Sequence, residues 1–448
     1  MSEDLRIEFV DRAQGFTVTA VEKETVSLPS EFFSDVNFKM VPGENRAVGS
    51  LGHPLKWGAK LVRFLEANGI TEASVVPGNL EPEHLVTGAL LSAYRFTKYT
   101  GAQREPVTLR LVSERSEVLA HALKVAEAVN FTRDLVSEPA NALPPDQFVK
   151  AVKDKMSKLD VNIKVFDENE LKDAGFGGVI AVAKGSINPP RLLIAEYTRD
   201  SGAPLALVGK GVIFDSGGLN LKVQGGIERM FTDKAGAAAV VGALYAAALL
   251  GARRHLLAVA PLVENMPSGS ATRPGDIIRI HNGKTVEVAN TDAEGRLILA
   301  DALSYTENEF SPKEMIDVAT LTGAKMVALG PLFGAVMGNT HELNATLIME
   351  GESVLERLWE LPLPDEYSAM LKSSRANLRN VASEDRRDAG CIIGGLFLKN
   401  FVRSTPWAHL DIAGCAYSEA DTSLFGKGAT GFGVRLLLKH IESGSATS

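Results

Sequence analysis

PLALVGKGVIFDSGG, residues 204–218, opens on an apolar run that stops at Gly-Lys-Gly and ends in Asp-Ser-Gly-Gly. So short and continuous a run reads as a strand covered on both faces, as in a parallel or mixed sheet between helices. The flanking sequence repeats the pattern. VIAVA (179–183) and RLLIAEY (191–197) precede it, and HLLAVAPLV (255–263) and MIDVATLTG (315–323) follow an Ala-rich helix at 235–250. WAHLDIAG (407–414) reads as a late strand and GVRLLLKHI (433–441) as a closing helix. Apolar strands alternating with helices indicate an α/β domain with a mixed sheet flanked by helices.

Upstream, residues 6–10, 16–22, 73–76 and 106–112 read as strands, with helices at 57–68 and 83–98. A long helical pattern runs from Glu117 to Val136, and Pro139, Pro144 and Pro145 stop regular structure beyond it. The chain is therefore expected to divide into a smaller N-terminal α/β domain over 1–130 and a larger C-terminal α/β domain over 131–448.

Of 448 residues, 45% are hydrophobic and 23% charged, so a large core can be buried. The net charge of −8 disfavours a dedicated nucleic-acid binder, which needs clustered Lys and Arg. Two cysteines, Cys391 and Cys415, form no disulfide framework and fit a reducing compartment. The N-terminal MSEDLRIEFV lacks the cationic start of a signal peptide. The apolar stretch Ala235 to Ala252 is slightly short for a membrane span and reads as a buried helix. A cytoplasmic location without a membrane partner is expected.

Several familiar motifs fail. Asp215-Ser216-Gly217-Gly218 resembles the loop around a serine nucleophile, but Phe214 stands where glycine is needed and His121 lies in a helical stretch. Gly209-Lys210 lacks the remaining glycine and the Ser or Thr of a phosphate loop. No H-E-x-x-H pair occurs among the eight histidines, so a bound metal needs oxygen ligands.

Three segments concentrate charge among glycines at strand ends: residues 208–222, Thr232-Asp233, and Asn290-Thr291-Asp292-Ala293-Glu294-Gly295-Arg296-Leu297. Asp215, Asp233, Asp292 and Glu294 supply four negative charges, enough for two divalent cations. Asp292 and Glu294 share a face if their stretch is extended. As a plain polar turn capping a helix, NTDAEGR would explain Asn290 or Asp292 but not Lys210, Asp215 and Asp233.

The runs VGKGVIFDSGGLNLK and NTDAEGRLILADAL resemble the leucyl (cytosol) aminopeptidase family of dinuclear-metal peptidases. ATLTGA (319–324), WAHLDIAG and ATGFGVRLL extend the similarity over about residues 130 to 440. The resemblance implies that Lys210, Asp215, Asp233 and Glu294 hold the tighter metal. Asp215, Asp292 and Glu294 would hold a more exchangeable one, helped by a backbone oxygen of Asp292. Zinc or manganese would serve, with cobalt or magnesium as alternatives. Lys222 and Arg296 would be catalytic, with bicarbonate held at Arg296 as proton shuttle. A metal-activated water would attack the first peptide bond, and Lys222 would help stabilise the oxyanion. Met230, Thr320, Leu321, Thr322 and Gly323 would line the substrate site and accept leucine-like side chains of peptides with a free N-terminus. A homo-hexamer, a dimer of trimers, is implied as well. A regulatory or DNA-binding oligomer on the same fold is the alternative.

Three positions depart from the family pattern. Phe231 stands where lysine is usual, Lys234 where methionine is usual, and Asn377 where aspartate is common. Lys234 is expected either to alter metal binding or to point harmlessly into solvent.

Overall fold

The computed structural model describes residues 5–22, 35–102, 105–223, 225–382, 388–422 and 424–445. Contacts divide the chain into two compact units, Met1–Asn130 with Ser418–Gly428, and Phe131–Tyr417 with Ala429–Ser448.

The first unit holds β1 (Leu5–Val10), β2 (Thr17–Val21), β3 (Phe38–Met40), β4 (Arg46–Ser50), α1 (Pro54–Ala67), β5 (Glu72–Val76), α2 (Pro82–Ala93) and β6 (Val107–Val112). The strands form one sheet in the order β1-β6-β5-β2-β4-β3, parallel except for β3. Helices α1 and α2 pack so closely that Cβ atoms built on Gly58 and Gly88 would strike the other helix's backbone at 1.9 and 2.0 Å. Helix α2 stops at Ala93, short of the 98 read from sequence, because Tyr94 turns extended (φ −60°, ψ 136°).

The division falls within α3 (Val118–Ser137). In the second unit follow α4 (Pro145–Met156), β7 (Asn162–Phe166), α5 (Glu168–Asp173), α6 (Gly177–Ala183), β8 (Arg191–Thr198), β9 (Leu205–Gly209), β10 (Gly211–Asp215), α7 (Ala235–Leu250) and β11 (His255–Asn265). Then come β12 (Ile277–Arg279), β13 (Thr285–Glu287), α8 (Gly295–Phe310), β14 (Glu314–Ala319), α9 (Gly323–Leu329), β15 (Gly334–Gly338), α10 (His341–Ser353), β16 (Leu358–Glu360), β17 (Leu378–Arg379), α11 (Gly390–Lys399), β18 (Trp407–Asp411) and α12 (Val434–Ser445). The main sheet runs β16-β15-β18-β14-β9-β11-β8-β7, with β10 beside β11. Its centre, β18-β14-β9-β11, is parallel, while β8 and β15 join it antiparallel.

Strand alternation explains the two helical layers. Ala206, Val208, Leu257 and Val259 pack into one core cluster with residues of α6, α8 and α11. The intervening residues of the same strands are equally buried, and α7 with α12 covers that face. Helix α7 with its preceding turn is long and apolar enough to cross a membrane, yet 83% of that window is buried inside the fold.

One apolar run differs from its reading. VIAVA is the body of helix α6, not a strand. A five-residue apolar run carries no decisive period, and tertiary contact settles it: Asp301 on α8 accepts the Val179 amide at 2.8 Å.

Candidate metal centre

Parallel strands β9, β14 and β18 end together, with Gly209 opposite Val318 and Ala319 opposite Asp411. Chain segments that leave this carboxyl edge converge on one place, where open α/β sheets put their ligands. Lys210 follows β9 directly. Its amide donates to Val318 O (3.0 Å) and its carbonyl accepts from Ala237 at the start of α7 (2.8 Å). Gly236 permits that approach, since a Cβ there would sit 2.0 Å from Val318 O.

The buried Lys210 Nζ reaches Asp233 Oδ2 at 2.7 Å, Glu294 Oε1 at 2.9 Å and Thr320 O at 2.9 Å. Asp215, ending β10, accepts from Gly217 N (2.9 Å) and Asn265 Nδ2 (2.8 Å). Lys222 Nζ lies 2.7 Å from Asp215 and 2.5 Å from Asp292, its side chain one-fifth exposed. Thr291 fastens the two loops together. Its hydroxyl donates to Gly217 O (2.7 Å), and its amide donates to Asn220 Oδ1 (2.8 Å).

Asp292 and Glu294 come together differently from the extended reading. Residues 291–292 form a turn, Asp292 N donates to Asn290 Oδ1 (2.8 Å), and Glu294 has helical angles at the N-cap of α8. NTDAEGR is thus a polar turn leading into α8 that makes no side-chain cap hydrogen bond and instead delivers both carboxylates inward. Ligand atoms of Asp215, Asp292 and Glu294 lie within 4.8 Å of one another.

Burial pushes the Glu294 carboxyl up to about 8, reinforced by Asp215 and opposed by Lys210. Burial likewise raises Asp233 to about 6, and it raises Asp292. On Lys210 and Lys222 burial acts against the charge, yet the surrounding carboxylates hold both ammonium groups well above their ordinary range. Glu294 Oε2 is buried without a hydrogen-bond partner. Four carboxylates against two ammonium groups leave a net negative, oxygen-rich pocket with an unspent lone pair. That donor set fits divalent cations, with Asp215, Asp233, Asp292, Glu294 and the amine of Lys210 as the groups that would hold them.

Arg296, on the first turn of α8, is buried. Its Nη1 donates to Asn380 O (2.7 Å), its Nε has no partner, and burial lowers it to about 10 against the pull of Glu294 and Asp411. Among the described residues it makes no ion pair with a carboxylate. Gly394 on α11 lets Arg296 and the 320–323 loop meet: a Cβ there would lie 3.1 Å from Leu321, 3.3 Å from Thr322 and 3.6 Å from Arg296 Nη2. Thr320 Oγ1 donates to Asp233 Oδ1 at 2.7 Å. Met230 is half-buried, outside the core, one turn before Asp233 and hydrogen-bonded to it through its carbonyl (3.3 Å).

Lys234 does not point into solvent. It is wholly buried, and its Nζ donates to Glu138 O (2.7 Å) and Phe231 O (2.6 Å), pinning the turn that carries Asp233 to the end of α3. Phe231 meets Tyr417 edge-on at 6.0 Å. Asn377 pairs with Thr285 through its side chain (2.8 Å), a β13 contact. Sequence reasoning did not single out Asn265, Asn220, Asn380 or Asp411. The only signal for them was local, an Asn or Asp beside a strand end.

The class is thus an α/β protein with a mixed sheet flanked by helices and a cluster of carboxylates and lysines, able to hold metal ions, at the carboxyl edge of that sheet. Residues 130–438 match the catalytic domain of the cytosol aminopeptidase family. A probable cytosol aminopeptidase of Syntrophotalea carbinolica is 45% identical over 374 residues, 80% of this chain and 74% of its own. One of Geobacter sp. strain M21 is 44% identical, with 80% and 75% covered. The bottromycin maturation enzyme BotP in complex with Mn superposes with a TM-score of 0.86 at 30% identity, over 96% of this chain and all of that one. The chain belongs to the cytosol aminopeptidase family and is a metal-dependent aminopeptidase of the leucyl aminopeptidase type.

Proposed function

We propose that this enzyme releases leucine-like N-terminal residues from peptides at a two-metal site. Lys210, Asp215, Asp233 and Glu294 would hold one ion, and Asp215, Asp292 and Glu294 the other. Three buried carboxylates (Asp215, Asp233, Glu294) converging with the partly exposed Asp292, and Glu294 Oε2 left unpaired, carry this reading. Bound there, divalent ions such as manganese or zinc supply Lewis acidity toward the scissile carbonyl and lower the pKa of water.

The chain's own residues do the rest. Lys222 is the one ammonium of the cluster with solvent access, so it can turn from Asp215 and Asp292 toward a developing oxyanion. The unpartnered Nε of Arg296 offers a donor to a small anion such as bicarbonate, which would shuttle the proton that no side chain here is free to carry. Thr320–Gly323 would position the peptide, with Met230 against its first side chain. The BotP likeness with manganese supports a metal of that class. A cytoplasmic hexamer built from the catalytic domains, 131–448, completes the proposal, with residues 1–130 as the oligomeric or regulatory domain.

The test is hydrolysis of leucine amide after chelation, with Mn, Zn, Co or Mg added back, beside an Asp292→Ala/Glu294→Ala variant. Metal-restored activity absent from the variant is the expected result. A folded wild type inactive with every metal would overturn the proposal.

A further inference from the structure

Asp411 closes β18 and is fully buried, yet its carboxylate is turned toward the 320–323 loop. Oδ1 accepts Leu321 N and Ala413 N, both at 3.1 Å, and Oδ2 accepts the Thr322 hydroxyl at 2.7 Å. Cys391 Sγ lies 3.6 Å from Oδ2. The Thr322 hydroxyl in turn caps α9 by accepting Lys325 N at 3.2 Å. From the other side the loop is held by Lys210 Nζ on Thr320 O and by Thr320 Oγ1 on Asp233. Three consecutive residues are therefore clamped between the metal-centre carboxylates and one buried aspartate.

We infer that Asp411 is a positioning residue for peptide binding: it fixes Thr320–Gly323 against the carboxylate cluster so that the loop meets the substrate in one conformation. The inference rests on the peptidase reading above. A buried carboxylate costs free energy unless hydrogen-bonded, and here each oxygen accepts one bond from the one loop proposed to touch substrate. Backbone closure of the strand end does not need it, since Ile412 N already bonds Ala319 O at 2.8 Å.

The test is steady-state kinetics on the metal-loaded enzyme with leucine amide. Asp411→Asn keeps the volume but cannot accept from both Leu321 N and Thr322 Oγ1. Loss of one such buried bond raises KM about tenfold with kcat within about twofold. Thr322→Val shifts KM the same way, Thr322→Ser restores it by keeping the hydroxyl, and the Asp411→Asn/Thr322→Val double variant is no worse than the worse single one. Unchanged KM in Asp411→Asn, additive single effects, or a fall in kcat alone that tracks lost folded protein would each overturn the inference. Wild-type activity is measured first. Its absence overturns the peptidase reading together with this one, whereas an active wild type with unchanged Asp411→Asn KM overturns this one alone.

Discussion

Gly295 sits between Glu294 and Arg296, and its missing side chain is a site feature. A Cβ there would lie 2.5 Å from Lys210 Cε and 2.7 Å from Nζ. The clash falls on the far end of a side chain rather than on backbone, so Gly295→Ala should fold, with overpacking of about 1–3 kcal/mol. Displacing Nζ from Asp233 and Glu294 should weaken manganese binding about tenfold or more, a difference of ~1.4 kcal/mol per decade. Calorimetric titration checks this, and wild-type affinity would mean that Lys210 is no ligand. The proposed ligand residues stand out in the sequence because they cluster within short motifs. Asp411 is visible in sequence only as part of a strand, because its partners lie 89 and 90 residues away and nothing in WAHLDIAG points to them. For Lys234 the sequence offers only the metal or solvent. Its true partners, the carbonyls of Phe231 and the remote Glu138, leave no trace in local pattern.

Among elements, periodicity placed long helices and central strands well, α7 and β11 above all. It failed for VIAVA, where five apolar residues fit either period and a contact to α8 decides. Helix α12 shows another device hidden from sequence. His440 bridges Glu314 on β14 (2.6 Å) and Glu350 on α10 (2.8 Å), beside a hollow also lined by Arg254 and Lys313. Burial opposes the imidazolium, but hydrogen bonds to the two carboxylates outweigh it and raise His440 to about 9. A pKa raised above the unfolded value gives stability that is fully present below about pH 6.5 and lost as pH rises through 9. The charged bridge is worth at most about 3 kcal/mol. His440→Gln should therefore lower Tm clearly at pH 6 and much less at pH 9.5. An equal deficit at both pH values would assign the loss to packing alone.

At the scale of the molecule, every proposed ligand and loop residue of the centre lies in the unit Phe131–Tyr417 with Ala429–Ser448, drawn from segments far apart in sequence. Folding must bring Asp215, Asp233, Asp292 and Glu294 together around two lysines, and that net negative cluster weakens the metal-free fold. The sign is fixed by Glu294: an acid pushed up to about 8 loses stability for the fold as pH rises from its ordinary range through 8. In chelator at pH 7.5, Glu294→Gln replaces a carboxyl that the fold holds mostly protonated but the unfolded chain ionises, so its Tm should equal or exceed that of the wild type. Manganese should reverse the order. At about 100 times Kd a ligand that binds only the folded state adds ~2.7 kcal/mol, several degrees for a unit of this size. The wild type should gain that rise and Glu294→Gln little of it. If the variant instead melts lower in chelator, Glu294 is held by protein contacts for their own sake, and the cluster is not reserved for metal.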